Sequence, residues 1–403
     1  MPIKTDIRTL AFCTLFPLAA ALTFSISIFE ISTAVFFGLM LVLFWKEPHA
    51  LLARLKKPLM FFLVLYFVLN LLSLTQTQYW EASGRGIGKV GKGILLCLFT
   101  FVVMDDEAKH KKIFEWILWV SLLINLDALI QGFTGREWIL GRQMTKYYED
   151  VGRVTATFVH ANDYSAFLSV MLFFYLGALL SGKSAYPLWK RWVWAVGFVI
   201  TFVCLLWTYS RGAWLAVILS FALSLVFRRN KKFLVFLAVL LVAGIVFAPP
   251  ALKQRLGTIK NILKSGTVVE RKVLWSESLR MIQKSPVLGL GVNTYAKNEP
   301  NYKLEGATDY QYAHNGYLQI AAEIGLLGLA GFLAIIFYFL FCVVPRLATT
   351  AGDFGGGAGF AYAFGTLAFL IHSTVDTNLQ SARLINLLWF LWGLAFSFNE
   401  RHS

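Results

Sequence analysis

The chain has 403 residues, of which 58% are hydrophobic and only 15% charged, and its mean hydropathy is +0.64. That is more apolar surface than a soluble core of this length can bury, so the natural solvent is a bilayer. The formal charge of +15 does not point to nucleic acid, because Lys and Arg fall in short clusters between apolar runs rather than on one soluble face.

Near the start, Lys4 and Arg8 precede an apolar stretch containing Ala19, Ala20 and Ala21. Because the apolar run continues past Phe29, it reads as an uncleaved first helix rather than a cleaved signal peptide. Cys13, Cys97, Cys204 and Cys342 all lie inside apolar runs, which suits small core residues better than a disulfide framework.

Stretches of membrane-spanning character are expected at 9–29, 31–45, 58–74, 90–104, 113–133, 164–180, 192–207, 214–227, 233–248, 317–344, 360–371 and 384–398. The fold class is therefore an all-α integral membrane protein of about twelve transmembrane helices. A long, partly helical periplasmic loop is expected between the ninth and tenth. The chain divides into the first nine helices (1–248), that loop (249–316) and the last three helices (317–403).

Alternate gaps hold the basic residues: Lys46, Arg54, Lys56 and Lys57; Lys109, Lys111 and Lys112; Lys183, Lys190 and Arg191; Arg228, Arg229, Lys231 and Lys232. This positive-inside pattern puts the N-terminus and these gaps in the cytoplasm. The connections 75–89, 134–163, 209–212, 249–316 and 372–383 then face outward. The long outer loop has twice as many basic as acidic side chains, which invites an anionic partner. Attraction to lipid headgroups accounts equally well for most of its lysines taken singly.

Gly86, Gly88 and Gly91 satisfy G-x-G-x-x-G, but no strand precedes them, so helix packing explains them better than a dinucleotide site. Asp105 and Asp106, beside Glu107 and Lys109, read as a solvated turn. His49, His110 and His402 read as loop residues on the cytoplasmic side. No cluster of His, Cys and carboxylates has metal-ligand spacing, so chemistry without a metal or other cofactor is expected.

The outer face holds the residues suited to chemistry. Arg211, in Tyr209-Ser-Arg-Gly212, sits in a turn so short that its guanidinium is held at the membrane boundary, either snorkelling to headgroups or binding phosphate. Within 270–284, Arg271 shares a helical face with Trp275, Leu279 and Ile282, whereas Arg280 aligns with Glu277 and Lys284 on a polar face where an exposed ion pair suffices. Arg271 is thus the better ligand contact. Ser285-Pro286 ends that helix, and Gly289 and Gly291 supply a turn.

His314 precedes the next helix with Asn315 as its cap, so the positive helix end favours a neutral ring able to accept a proton. A hydrogen-bonded loop histidine is the plainer alternative. Glu323 lies about half a revolution away on an ideal helix, which suits a packing or polar contact rather than orientation of His314. Arg153, with His160, Asn162 and Asp163 nearby, suits an anion clamp. Asp376 suits orienting a base or binding sugar hydroxyls. Asp127, alone in an apolar run, reads equally as functional or as a buried interhelical hydrogen bond.

Taken together, Arg153-Val-Thr-Ala-Thr-Phe158 with Asn162, Tyr209-Ser-Arg-Gly212, Glu270-Arg-Lys-Val-Leu-Trp275, Pro286-Val-Leu-Gly-Leu-Gly291 and Ala313-His-Asn-Gly-Tyr-Leu-Gln-Ile-Ala-Ala-Glu-Ile-Gly325 resemble the O-antigen ligase and O-antigen polymerase superfamily. Val159-His-Ala161 stands where the family more usually has Gly-Asn-Pro. The resemblance implies a helical membrane bundle that uses undecaprenyl-pyrophosphate glycans as donors without metal or ATP. It implies catalytic roles for Arg211, Arg271 and His314, while Arg153, Asp376 and Asn315 are expected to bind substrate. Membrane lipid and a lipid A-core acceptor are the expected partners, and nucleic acid is not. A polymerase, a protein O-oligosaccharyltransferase and a lipid-linked glycan transporter or flippase are the competing readings.

Overall fold

Inside a bilayer every backbone N–H and C=O must find its partner within the chain, which leaves helices as the solution for these apolar runs. The computed structural model describes residues 6–55, 58–146, 152–227, 266–304 and 311–401. The ninth apolar stretch (233–248), the basic gap 228–232, Lys56, Lys57, His402 and the loop residues 249–265 and 305–310 lie outside the described residues.

The helices are α1 (Ile7–Phe24), α2 (Ile26–Lys46), α3 (Pro48–Leu55), α4 (Pro58–Ser73), α5 (Trp80–Val103), α6 (Glu107–Thr134), α7 (Ala161–Leu180), α8 (Leu188–Trp207) and α9 (Arg211–Phe227). They continue with α10 (Gly266–Lys284), α11 (Tyr295–Asn298), α12 (Gly316–Tyr338), α13 (Val344–Thr349), α14 (Gly355–His372) and α15 (Ala382–Arg401). Among the described residues, 8 helices are long and apolar enough to cross a membrane, and the strands form one short pair, Thr145–Lys146 with Gly152–Arg153. The protein is an all-α membrane protein.

Several local expectations change. The apolar run expected at 9–29 is broken at Ser25, whose backbone is extended (φ −149°) and whose hydroxyl accepts from Ile28 N; a serine cap makes two helices of one run. Residues 80–89, expected in a loop, are the start of α5. The glycines there are tolerated because neighbours need the room: a Cβ on Gly86 would stand 2.7 Å from that of Asn293, and one on Gly93 would overlap the Trp389 ring at 2.3 Å. Neither His49 nor His110 is a loop residue: His49 lies in α3, and His110 is buried in α6, its Nδ1 3.4 Å from the Tyr362 hydroxyl. Cys97 and Cys204 are buried as expected, whereas Cys13 and Cys342 are exposed on the bundle's surface.

At the centre lies α14, buried along nearly its whole length and packed on α7. Small residues permit that approach: a Cβ on Gly177 would meet the Gly357 carbonyl oxygen at 2.5 Å. The connections expected to face outward do share one end of the bundle. Arg383 donates to Thr23 O and Thr157 O, Val292 N donates to Ser73 Oγ, Arg153 to Thr208 O, and Gly316 N to Ser373 O. At the other end Arg8 pairs with Glu47 and Asp105, and Gly182 N donates to Asp353 O.

Candidate active site

The site forms where α7, α9, α10, α12 and α14 bring together ends that share one side of the bundle. Asp376 is its hub. It lies in the connection from α14 to α15, where it is 2% exposed. Arg271 Nη2 stands 3.3 Å from Asp376 Oδ2, His314 Nδ1 3.6 Å from Oδ1 and His372 Nε2 3.9 Å from Oδ2. Asn162 Nδ2 donates to Oδ2 at 2.7 Å, and Thr377 N donates to Oδ1 at 2.9 Å. Burial raises the proton affinity of this carboxyl, but His314, His372 and Arg271 outweigh it and hold Asp376 below the usual carboxylate range.

Each partner is positioned by local sequence. Arg271 is on the stripe of α10 that contains the buried Leu274, Ser278 and Met281. Leu279, expected on that face, is exposed, and Glu277, expected on an exposed polar face with Arg280, is fully buried and accepts from Leu304 N. A backbone N–H at the edge of the loop captures that carboxylate, which turns the helix relative to the simple apolar pattern.

His314 has a left-handed backbone (φ 48°). Strain of this kind persists where the surroundings over-determine it and collects at functional sites. Asn315 Oδ1 accepts from Tyr317 N and Leu318 N, so it caps α12 as its position suggested, and its carboxamide oxygen is occupied there.

Arg211 opens α9. A Cβ on the following Gly212 would meet Val375 Cγ2 at 2.8 Å and His372 Cδ2 at 3.2 Å, so Arg211 begins its helix directly against the loop carrying Asp376. The preceding Tyr209 is also left-handed (φ 52°). Arg153 joins through a relay: its Nε donates to Thr208 O and its Nη2 to Asn162 Oδ1, while Asn162 donates to Asp376.

The turn between α10 and α11 explains Glu323 and the glycine pair. Helix α12 is interrupted at Gly325 (φ 73°, ψ 178°), and the Pro286–Gly291 segment lies against the break. Leu290 N donates to Ala322 O, Gly291 N to Glu323 O and Leu326 N to Pro286 O. The Glu323 carboxylate accepts from Asn293 N, Tyr295 N and Gln319 Nε2. Broken helices at membrane depth survive where protein re-satisfies the freed backbone groups, as here. Asp127, by contrast, is structural: its carboxylate accepts from Trp138 N and Ile139 N.

Sequence reasoning grouped Arg211, Arg271, His314, Arg153 and Asp376 on one side, with Asp376 able to orient a base, but did not give the contacts among them. It missed His372, now buried beside Asp376, and the relay through Asn162. The signal for His372 was the spacing His372-Ser-Thr-Val-Asp376, one helical turn; the Asn162 contact, 214 residues apart in sequence, left none. Among the described residues, no group of three or more His, Cys, Asp or Glu side chains is placed to hold a metal ion.

Residues 196–333 match the O-antigen ligase family model, Wzy_C. That region contains the Arg211, Arg271, Pro286–Gly291 and His314 motifs, so the resemblance to the O-antigen ligase and polymerase superfamily is borne out there. The match spans about a third of the chain and leaves Asp376 and Arg153 outside the matched region. No curated protein sequence matches the chain. A chain from a solved structure described as "Structural coordination of polymerization and crosslinking by a peptidoglycan synthase complex" is 17% identical, covers 86% of this chain and 97% of its own, and superposes with a TM-score of 0.48.

Proposed function

We propose that the protein is a glycosyltransferase that moves a glycan en bloc from undecaprenyl pyrophosphate to lipid A-core oligosaccharide, at the periplasmic face of a bacterial inner membrane. The observation that carries the reading is the meeting of Arg271 and His314 on the buried carboxylate of Asp376. The positive-inside charge pattern supports the orientation.

In this mechanism an acceptor hydroxyl oxygen attacks the anomeric carbon as the bond to the pyrophosphate oxygen breaks. His314 takes the hydroxyl proton through Nε2, because Asp376 beside Nδ1 favours the tautomer with its proton on Nδ1. The 3.6 Å separation is longer than a formed hydrogen bond, and such contacts tighten in the loaded site. Arg271 and Arg211 pair with the pyrophosphate and stabilise the charge that grows on it, so two guanidiniums supply what a metal ion supplies elsewhere. The leaving group is undecaprenyl pyrophosphate, and direct displacement inverts the anomeric centre.

The test is purified protein in proteoliposomes with lipid-linked glycan and lipid A-core, with and without chelator. Chelator-insensitive transfer to the core is expected. Extension of a second lipid-linked glycan would make it a polymerase, transfer to a peptide hydroxyl a protein O-oligosaccharyltransferase, and lipid flipping without product a transporter; each overturns the ligase reading.

A further inference from the structure

A cavity of about 210 Å³ lies at the same end of the bundle, between α5, α12, α15 and the turn at Val292 and Asn293. None of Arg153, Arg211 and Arg271 lines it. Its walls include Tyr312 and Gln319, which flank His314, and Leu379 and Gln380, which follow Asp376. Gln319 Oε1 accepts from Ala313 N, and a Cβ on Gly316 would meet Leu379 at 2.8 Å. The segment that carries His314 and the loop that carries Asp376 therefore serve both the arginine cluster and this cavity.

The lining has a distinctive chemistry. Tyr66, Phe332 and Trp389 form an aromatic wall, with Tyr66 5.4 Å from Phe332 and 6.4 Å from Trp389 between ring centroids. Asn70 and Asn386 donate their amide hydrogens to Tyr66 O and Ala382 O of their own helices, which leaves carbonyl oxygens to accept. Gln380 Oε1 is buried with no hydrogen-bond partner, an acceptor whose cost calls for a donor. The formal charges lining the cavity balance: Lys89 and Lys92 against Glu30 and Glu323. Lys92 pairs with Glu30, and Lys89 donates to Asn293 Oδ1. At 1.5 Å per residue, Lys92 lies about 18 Å along α5 from Trp80, a depth where a charge is kept only for a reason.

A neutral, acceptor-rich pocket with an aromatic wall fits a ligand that presents hydroxyl donors and an apolar ring face. A phosphate, which only accepts, would find donors at Lys89 and Lys92 but would leave the Gln380, Asn70 and Asn386 acceptors unmet. We propose that this cavity is the acceptor-sugar pocket, holding a terminal pyranose of the acceptor against Trp389 while Asn70, Asn386 and Gln380 accept from its hydroxyls. This rests on the glycosyl-transfer reading. Direct displacement requires the attacking hydroxyl to approach opposite the leaving pyrophosphate; none of the three arginines lines the cavity, so a pyrophosphate held by them leaves it to the acceptor.

The test measures binding, by calorimetry on the full-length protein in nanodiscs, of core oligosaccharide freed of its lipid and, separately, of undecaprenyl pyrophosphate. Gln380→Met removes an unpartnered acceptor and leaves folding intact; Asn386→Leu removes a second. Each is expected to weaken oligosaccharide binding roughly tenfold and to leave undecaprenyl pyrophosphate within twofold, with Arg271→Ala giving the reverse. Oligosaccharide binding that is absent in the wild type or unchanged in both variants, or that phosphatidic acid vesicles displace, overturns the pocket. Binding with the expected losses but no glycan transfer sinks the transferase reading alone; transfer that both variants support with an unchanged acceptor KM sinks the pocket alone.

Discussion

Asn162 bridges Arg153 and Asp376, donating 2.7 Å to the carboxylate while accepting 2.7 Å from the guanidinium. Arg153 also donates to Thr208 O, three residues before Arg211. One arginine thus fixes both the carboxylate that orients His314 and the turn that presents Arg211. Its two bonds use a fork geometry that an ammonium cannot reproduce. Arg153→Lys is therefore expected to behave like Arg153→Ala, with kcat reduced up to about 100-fold through misplacement of the reacting groups. Steady-state kinetics of both variants check this, and full rescue by lysine would show that only the charge matters.

Removing the hub carboxylate should cost more. Asp376→Asn keeps the shape but presents an amide to Arg271 and no longer selects the tautomer of His314. Loss of general-base function is worth roughly 10²–10⁴-fold in rate. The expected outcome is a fall of that size in kcat, matched by His314→Ala, with donor affinity falling further in Arg271→Ala than in either. If the double variant of Asp376 and His314 loses the product of the two single losses, the residues act independently and the dyad is wrong.

Much of this site was legible because its signals are local. Pro286 after Ser285 stops α10 at Lys284, and Asn315 caps α12, as short-range chemistry requires. Charge alternation foretold which connections share an end, since each gap is read from a few neighbouring residues. What stayed hidden depends on long-range contacts. The glycine-rich 80–93 segment reads as a poor helix until Asn293 and Trp389 are seen to occupy the space a Cβ would take. Glu277 reads as solvated until Leu304 N arrives from 27 residues away. His372 and Asn162 acquire roles only because α7 packs on α14, which no periodicity within either helix encodes.

The depressed proton affinity of Asp376 sets a pH dependence of definite sign. A carboxyl whose folded value lies below its unfolded one, about 3.9, stabilises the fold fully above that range and loses its contribution as pH falls through the folded value. Thermal unfolding of the detergent-solubilised protein should therefore show no contribution from Asp376 titration between pH 6 and 8. Below about pH 4 the wild type should lose stability more steeply than Asp376→Asn. Parallel curves for the two proteins down to pH 3 would mean that the cluster does not hold the carboxylate ionised.

Gly325 tests the interrupted helix. Its φ of 73° lies where an L side chain is strained, and a Cβ there would stand 2.1 Å from Val287 O, with Leu288 N at 2.5 Å. These neighbours are backbone and cannot swing aside. The left-handed conformation costs about 1–2 kcal/mol and the forced displacement about 1–3 kcal/mol more. Gly325→Ala should lower thermal stability accordingly and, by pushing Pro286–Gly291 away, loosen the bonds from Asn293 N and Tyr295 N to Glu323. Hydrogen exchange should then rise at residues 287–295 before it rises in α14, because the turn depends on the break whereas α14 is held by α7. If exchange at 287–295 stays at the wild-type rate in a folded Gly325→Ala protein, the turn is anchored by something other than the interrupted helix.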